Sequence, residues 1–411
     1  MTNPTTRRPA GRNRRRALPV AAGALAALTA GVALTAPSAF ADTRQDRPAE
    51  AVQLAGPARS ADPVQKRLDR LVAEQKFPGA LASVRHTGGQ VRDYTAGMGD
   101  LTSGRPVPRN GKVRIGSNTK IYTAVVVLQL AGEGRINLDA TVETYLPGLV
   151  HGNGNDGSKI TVRQLLQQTS GLPDYDDVLF TKPQDLIDLA HAYYDPRRLV
   201  DAALTKPPSF APGEKWQYSN TNYILAGLIA ERVTARPIGE HITHRIIERL
   251  GMRDTYWPGV GDQTITGRHP HGYVAAAPND PWTDITEMDP SLGWAAGQLI
   301  STPADLRTFL EALVGGKLLK PAQQAAMMKT VPAADFEPTE GWEYGLGLAR
   351  HELPCGGYAW GHGGDIQGFE TRDLVTQDGR SAVVAVTGLP TSLEMTKAVS
   401  ENVDAALCEG R

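Results

Sequence analysis

Apolar residues recur along this 411-residue chain in patterns that predict strands near both ends and helices between them. Residues 80–84 and 91–96 alternate on either side of Thr87-Gly88-Gly89, which predicts a β-hairpin. This arrangement indicates an α/β fold, in which one antiparallel sheet is flanked by helices and carries an all-helical insert. Further strand patterns occur at residues 345–350, 358–360, 369–375 and 381–387.

Helical periodicity begins near Val64 and recurs at residues 224–233, 303–314 and 393–408. The helix that Ser117 opens has apolar residues on almost every side, so we expect it to be buried. We place the sheet region at about residues 63–115 and 340–411, and the helical region at about residues 135–330.

The N-terminal residues 1–41 contain six arginines and no acidic residue, followed by an apolar run at residues 17–36. Ala39 and Ala41 place small residues at the −3 and −1 positions of a cleavage site before Asp42. These features predict a signal peptide and a secreted protein, exported by the Sec or the Tat route. The alternative is an uncleaved membrane anchor, although Pro and Gly residues dilute the run.

Residues 42–62 have no periodicity and are predicted to be a disordered leader, so that the folded domain covers residues 63–411. The whole chain has 43 basic and 44 acidic side chains, which argues against a nucleic-acid partner. Loss of the signal peptide would leave a mildly acidic protein without a stable membrane anchor. In an oxidising compartment Cys355 and Cys408 are expected to form a disulfide, the alternative being two buried free thiols.

Ser117 is a candidate nucleophile, because Ser117-Asn118-Thr119-Lys120 is the only S-x-x-K sequence in the chain. At positions i and i+3 of a helix the two side chains share a face. The helix dipole would lie behind the serine, and the lysine could take its proton. The alternative is an N-cap serine with an ordinary lysine, but a lysine on a helix with hardly any polar face is costly without a purpose.

Tyr218-Ser219-Asn220 is the only Y-x-N sequence and precedes a predicted helix. A tyrosine near a lysine can be stabilised as a phenolate and act as a general base, and an asparagine amide can orient a substrate. The alternative is that Ser219 or Asn220 only caps the following helix.

His362-Gly363-Gly364 leads into a predicted strand and is the third candidate. Glycines at this point would let a substrate lie close to the backbone, as an oxyanion hole requires. The alternative is a glycine-rich hairpin. His86-Thr87-Gly88 has the same spacing, but it falls at the predicted tip of the first hairpin and is interpreted as a turn.

Other catalytic and binding motifs are missing from the sequence, including G-x-S-x-G, H-E-x-x-H, the Walker loop and the dinucleotide fingerprint. His241 and His244 are expected to lie on an exposed helix face rather than to bind a metal. His269-Pro270-His271 is expected to lie in a loop. The sequence therefore implies neither a metal ion nor a cofactor.

Taken in order, the pairs Ser117/Lys120, Tyr218/Asn220 and His362/Gly364 resemble the three motifs of the serine β-lactamase and penicillin-binding protein superfamily. With Y-x-N and H-x-G, the chain is most similar to secreted DD-carboxypeptidases related to class C β-lactamases. The resemblance covers about residues 65–411 and implies a sheet region, an all-helical domain and an active site between them. Its most typical segments are residues 114–149, 160–175, 211–231 and 344–348, together with the two late cysteines.

The resemblance also implies a role for each candidate residue. Ser117 would be the acylated nucleophile, Lys120 its partner in proton transfer, and Tyr218 the group that passes the proton to the leaving group. His362 would support the Tyr218–Lys120 proton network, and Asn220 would bind the acyl amide of the substrate. Gly364 would lie against the substrate. The backbone N–H groups of Ser117 and Asp365 would form the oxyanion hole.

The chain departs from the carboxypeptidase pattern where a threonine and an arginine usually hold the terminal carboxylate of the substrate. Gly363 takes the place of the threonine and Ala349 that of the arginine, while the adjacent Arg350 would face the opposite side of a strand. Asp365 adds a carboxylate that is expected to repel a substrate carboxylate.

The resemblance favours D-alanyl-D-alanine carboxypeptidase as the single activity, with peptidoglycan stem peptides and β-lactams as small-molecule partners. The departures leave open an esterase, an amidase or a D-aminopeptidase of the same fold. A further alternative is a penicillin- or peptidoglycan-binding sensor without turnover, but a pure binder has no need of Lys120 and Tyr218 together.

Overall fold

Nine strands form one antiparallel sheet in a computed structural model, which describes residues 62–409. The predicted signal peptide and nearly all of the predicted leader lie outside these residues. The spatial order of the strands is β4-β5-β6-β7-β8-β9-β1-β2-β3, so the predicted antiparallel sheet is confirmed. The strands are β1 Gly79–Arg85, β2 Val91–Asp100, β3 Arg105–Pro106, β4 Val331–Pro332, β5 Trp342–Tyr344, β6 Ala349–Glu352, β7 Tyr358–Ile366, β8 Phe369–Thr376 and β9 Ser381–Val386.

Helices cover both faces of the sheet and build the region between its two sequence halves. The longer ones are α1 Pro63–Ala73, α2 Thr119–Gly132, α3 Pro196–Ala203, α4 Asn220–Thr234, α5 Pro303–Val314, α6 Pro321–Met327 and α7 Leu393–Cys408. Shorter helical segments are Val142–Tyr145, Val162–Leu166, Asp176–Leu179, Asp185–Asp188, Ile238–Ile242, Glu248–Leu250 and Trp294–Gly297, with 3₁₀ turns at Gly116–Asn118 and Pro290–Leu292 and a π turn at Thr243–Ile247. Short strand pairs join Val113–Arg114 to Ile300–Ser301, His151–Gly152 to Asn155–Asp156, and Tyr273–Val274 to Thr283–Asp284.

The first and last helices share one face of the sheet. Leu68 of α1 and Val399 of α7 are buried in one apolar cluster with Val84 and Val384 of the strands below them. Asp62 caps α1, because its carboxylate accepts a hydrogen bond of 3.0 Å from the backbone N–H of Val64. The last residue assigned to the leader is therefore part of the described fold.

The other face of the sheet packs against α5 and the helical region. The central helix of that region is α2, whose side chains from Thr119 to Leu128 are all buried, as its apolar sequence predicts. It lies against α4 and the segment Trp294–Gly297. A helix enclosed in this way holds the residues at its N-terminus in a fixed position next to the sheet.

The structure differs from the sequence prediction at residues 345–350. Strand β5 ends at Tyr344 and β6 begins at Ala349, so the segment between them is a turn. Leu346 and Leu348 are buried with the helical core, and Gly347 has a φ of 82° beside α2. The apolar residues that suggested a strand therefore anchor the turn to the helices. Likewise, α5 packs on the sheet although its sequence position was assigned to the helical region.

Two histidines predicted to lie on an exposed helix face differ in their environment. His244 is exposed and pairs with Glu248, but His241 is only 7% exposed and accepts a hydrogen bond from Arg245. The prediction is wrong for His241 because this turn packs its ring inward. Within residues 62–409, no group of three or more His, Cys, Asp or Glu side chains is arranged to hold a metal ion.

Cys355 and Cys408 form a disulfide, as predicted, which ties the β6–β7 connection to the last residue of α7. The two cysteines are 53 positions apart in the chain. Separately, no helix in the described part of the chain has both the length and the apolar character needed to cross a bilayer.

We expect the double variant Cys355→Ser/Cys408→Ser to have a free energy of unfolding about 4 kcal/mol lower than the wild type, because the bridge restricts the unfolded chain. Equilibrium urea denaturation under non-reducing conditions measures this difference. Wild type unfolded in the presence of a reductant is the matched control and should behave like the double variant. Equal unfolding free energies for bridged and unbridged proteins would contradict the prediction.

Candidate active site

Two glycines allow the turn that carries Ser117 to meet strand β7. Gly116 has a φ of 46°, and a Cβ atom added to it would lie 2.7 Å from the carbonyl oxygen of Asp365. A Cβ atom on Gly364 would lie 2.1 Å from the carbonyl oxygen of Ile115. Only glycine fits at either position, because each backbone passes directly against the other. Ser117 and Asp365 are therefore brought to the same cleft.

The structure brings together Ser117, Lys120 and Tyr218 from two separate sequence motifs. The Lys120 Nζ lies 2.9 Å from the Ser117 Oγ, one turn along the helix. The Tyr218 hydroxyl lies 2.7 Å from the same oxygen and comes from the segment before α4. Ser117 Oγ thus has a candidate base on one side and a candidate proton donor on the other.

The amine of Lys120 is fully enclosed by protein. Burial lowers its pKa to about 7, although the carboxylates of Asp174 and Asp176 act in the opposite direction. Nζ also lies 2.6 Å from Asn220 Oδ1 and 2.9 Å from the carbonyl oxygen of Ala296. A neutral amine has two N–H groups for these two acceptors, which leaves its lone pair directed at the Ser117 hydroxyl.

The hydroxyl of Tyr218 is a donor in this arrangement. Burial raises its pKa well above the usual value, and the hydrogen bond with Ser117 offsets this only in part. The phenol therefore keeps its proton at neutral pH and donates it to the Ser117 Oγ. The phenolate general base expected from the sequence is not the resting state, because burial disfavours the charged form of the phenol.

Asn220 links the lysine to two carboxylates that sequence analysis missed. Its Oδ1 accepts from Lys120, and its Nδ2 donates to Asp174 Oδ2 at 3.0 Å and to Asp176 Oδ2 at 2.8 Å. Both ends of this amide are engaged by protein groups. This differs from the predicted role, in which the amide is free to bind the acyl group of the substrate.

Asp174 and Asp176 lie together beside Asn220, and Asp176 also lines the cleft. Burial raises the pKa of both carboxyl groups, and for Asp176 the neighbouring Asp174 raises it further. The available sequence signal was the acidic run Asp174-Tyr175-Asp176-Asp177 directly after a Gly-Leu-Pro turn. The sequence does not show that this run belongs to the site, because only the fold places Asp174 and Asp176 beside Asn220.

His362 lies next to the site, but its ring is bonded to other groups. Nδ1 donates to the carbonyl oxygen of Gly363, and Nε2 accepts from the Tyr344 hydroxyl at 2.9 Å. Burial lowers its pKa to about 3, so the ring is neutral. The described residues show no hydrogen bond from this ring to Tyr218 or Lys120. The expected support of the Tyr218–Lys120 proton network is therefore limited to packing, with the His362 and Tyr218 ring centres 6.3 Å apart.

Asp365 lines the cleft, and its carboxylate is paired with a cation. Its Oδ1 lies 2.7 Å from Arg372 Nη1, while its side chain is 55% exposed. The negative charge that the sequence predicts at this position is therefore partly neutralised by Arg372. Arg372 is however shared with two further carboxylates, those of Glu337 and Glu370.

A cleft of about 240 Å³ opens in front of Ser117. The charged side chains among its described lining residues are Asp176 and Asp365, both acidic. Arg350 is not among the lining residues and instead pairs with Glu343. The apolar part of the lining is formed by Tyr175, Phe180, Leu186, Leu292, Ile366 and Leu389.

For a reaction in which Lys120 takes the proton of Ser117, we expect kcat/KM to rise with pH through an apparent pKa of about 7. Only the neutral amine has a free lone pair, so activity is lost as the pH falls below this value. Initial rates with p-nitrophenyl acetate across neutral pH measure the profile, with Ser117→Ala supplying the background. A flat profile, or one that falls with increasing pH, would contradict this role.

Residues 64–406 of the chain match the family model described as Beta-lactamase. Among solved structures, the chain is similar to a D-stereospecific amidohydrolase from Streptomyces sp., at 37% identity and a TM-score of 0.74 over 81% of this chain and 96% of that one. It is also similar to the D-amino acid amidase from Ochrobactrum anthropi SV3 in complex with L-phenylalanine amide. Here the identity is 28% and the TM-score 0.73, over 84% of this chain and 96% of that one.

Among curated proteins, the chain is 35% identical to esterase EstB from Burkholderia gladioli over 199 residues. This alignment covers 45% of the chain and 48% of EstB. The chain spans 38% of the length of the similar Protein flp from Staphylococcus aureus (strain NCTC 8325 / PS 47) and 48% of the length of EstB.

Proposed function

Because this chain belongs to the beta-lactamase family, whose fold is that of serine hydrolases, we propose that it hydrolyses amides of D-amino acids through an acyl-enzyme on Ser117. The substrate has a free amino group, a bulky apolar side chain and an uncharged leaving group. Ser117, Lys120 and Tyr218 carry the chemistry.

The observation that carries this proposal is the sign of the charge in the cleft. The ionisable side chains among its described lining residues are Asp176 and Asp365, whose carboxyl oxygens can accept hydrogen bonds from an ammonium group, and none of these lining residues is a cation that could hold a carboxylate. Substrates of a D-alanyl-D-alanine carboxypeptidase end in a free carboxylate next to the scissile bond. The cleft therefore favours an amino acid amide over such a peptide.

The apolar lining supports the choice of side chain. Tyr175, Phe180 and Leu292 form part of a wall beside Ser117, and an aromatic or branched side chain gains free energy by leaving water for such a surface. Two similar solved structures have names consistent with this class, a D-stereospecific amidohydrolase and a D-amino acid amidase. Their identity of 37% and 28% over nearly their whole length supports the assignment of D stereochemistry.

In the proposed reaction, neutral Lys120 takes the proton of Ser117 as its Oγ attacks the amide carbonyl carbon. The backbone N–H groups of Ser117 and Asp365 receive the negative charge that develops on the carbonyl oxygen. The C–N bond then breaks, the Tyr218 phenol donates its proton to the leaving nitrogen, and the proton held by Lys120 restores Tyr218. Attack of water on the resulting ester releases the amino acid and regenerates Ser117.

We expect Ser117→Ala to abolish labelling by a fluorophosphonate and to lower kcat/KM for D-phenylalaninamide by at least about 10³-fold, because the nucleophile is lost. Intact-protein mass spectrometry and ammonia release measure the two effects. Ser158→Ala, at an exposed serine, is the control and should label like the wild type. Wild-type rates that are higher on L-phenylalaninamide or on D-alanyl-D-alanine peptides than on D-phenylalaninamide would contradict the proposed substrate class.

We expect Asp176→Asn to lower kcat/KM for D-phenylalaninamide by about 10- to 100-fold, because the ammonium group loses a charge-assisted hydrogen bond. The same variant should change the rate on 3-phenylpropionamide, which has no amino group, much less. Asp177→Asn is the matched control, since Asp177 is exposed on the same turn. Equal losses on both substrates would show that Asp176 has no part in binding the amine.

A further inference from the structure

A buried arginine beside the cleft forms ion pairs with three carboxylates of the protein itself. The side chain of Arg372 on β8 is only 5% exposed. Its guanidinium lies 2.7 Å from Asp365, 2.9 Å from Glu337 and 3.0 Å from Glu370, measured between the nearest nitrogen and oxygen atoms. Since one of these partners lines the cleft, the arginine is close enough to serve the site, yet it has no free face for a substrate anion.

Glu337 occupies the space above the middle residue of the His362-Gly363-Gly364 motif. A Cβ atom on Gly363 would lie 2.1 Å from Glu337 Oε1 and 3.1 Å from the Cζ and Nη1 atoms of Arg372. Gly363 is also opposite Arg372 in the β7–β8 register. The Glu337 carboxylate therefore occupies the space in which a side chain at this position of β7 would stand, and it pairs there with the guanidinium.

The segment that carries Glu337 is anchored next to the catalytic residues. It connects β4 to β5, and its Phe336 ring lies 4.8 Å from the His362 ring and 6.2 Å from the Tyr218 ring, centre to centre. The Glu337 side chain is only 4% exposed. The carboxylate is thus buried in a segment that packs against His362 and Tyr218, and it has a fixed position beside the cleft.

We propose that the Glu337 carboxylate is a built-in occupant of a carboxylate-binding subsite on Arg372. It excludes substrates whose leaving group ends in a carboxylate, because such a group reaches the guanidinium only by displacing Glu337. Glu337 is therefore a specificity-determining residue for the leaving group. This inference rests on the proposed function and gives the physical reason for its uncharged leaving group.

Two substrates that differ only at the end of the leaving group test this inference. They are D-phenylalanyl-D-alaninamide and D-phenylalanyl-D-alanine, and the quantity measured is the ratio of kcat/KM for the acid to that for the amide. We expect a wild-type ratio below about 0.1, and an increase of at least about 10-fold in Glu337→Ala. Glu337→Gln, which keeps the shape without the charge, should show a smaller increase of at least about 3-fold.

Glu340→Ala is the matched control, because Glu340 is exposed on the same segment and the variant has the same change of charge. Its ratio should equal that of the wild type. Free D-alanine gives a readout that does not depend on turnover. It should slow fluorophosphonate labelling of Glu337→Ala at a concentration at least about 10-fold lower than it does for the wild type.

The outcomes separate this inference from the proposed function. A wild type that prefers the free acid would overturn both the leaving-group class and the role of Glu337. A wild type that prefers the amide, with an unchanged ratio in a folded Glu337→Gln and in Glu337→Ala, would overturn the role of Glu337 alone. Equal losses on both substrates in the two variants would show that Glu337 is structural and would also overturn it.

Discussion

The burial of one amine governs the arrangement of the whole site. Lys120 lies on a helix with hardly any polar face, where a permanent positive charge would be costly, and burial lowers its pKa to about 7. In its neutral form the amine can donate two hydrogen bonds, which Asn220 and the Ala296 carbonyl accept. Burial also keeps Tyr218 a phenol, because it raises the pKa of the hydroxyl. The enclosing α2 helix is thus as much a part of the chemistry as the side chains it carries.

Carboxylates are distributed around this neutral centre on two sides. Asp174 and Asp176 face Asn220 on the helical side, and Asp365 belongs to the sheet side with its arginine. The first two accept hydrogen bonds from the Asn220 amide, and Asp365 is ion-paired with the Arg372 guanidinium. The cleft between them consequently presents acidic edges around an apolar wall, although the chain as a whole has almost as many basic as acidic side chains.

Patterns that are local in sequence were sufficient for most of the longer elements and for the proximity of Ser117 and Lys120. The buried helix after Ser117, the hairpin β1–β2 and the helix α7 follow from apolar spacing, and the S-x-x-K pair lies within a single turn. Contacts between distant segments were not predictable in this way. Neither the bond from Asn220 to Asp176 nor the position of Glu337 over Gly363 leaves a signal in either segment alone. The hydrogen bond between His362 and Tyr344 likewise joins two different strands, so neither segment alone predicts it.

The pairing of β1 with β9 has a consequence for the order in which the enzyme is made. Ala80 lies beside Val386, so the first long strand lacks one neighbour until almost the whole chain exists. The helical region can pack earlier, because α2, α4 and the segments around them follow one another in sequence. Strand β7, which completes the cleft, is synthesised long after Ser117. A growing chain therefore carries Ser117 before the opposite wall of the cleft exists, so the proposed active site is complete only when synthesis is nearly finished.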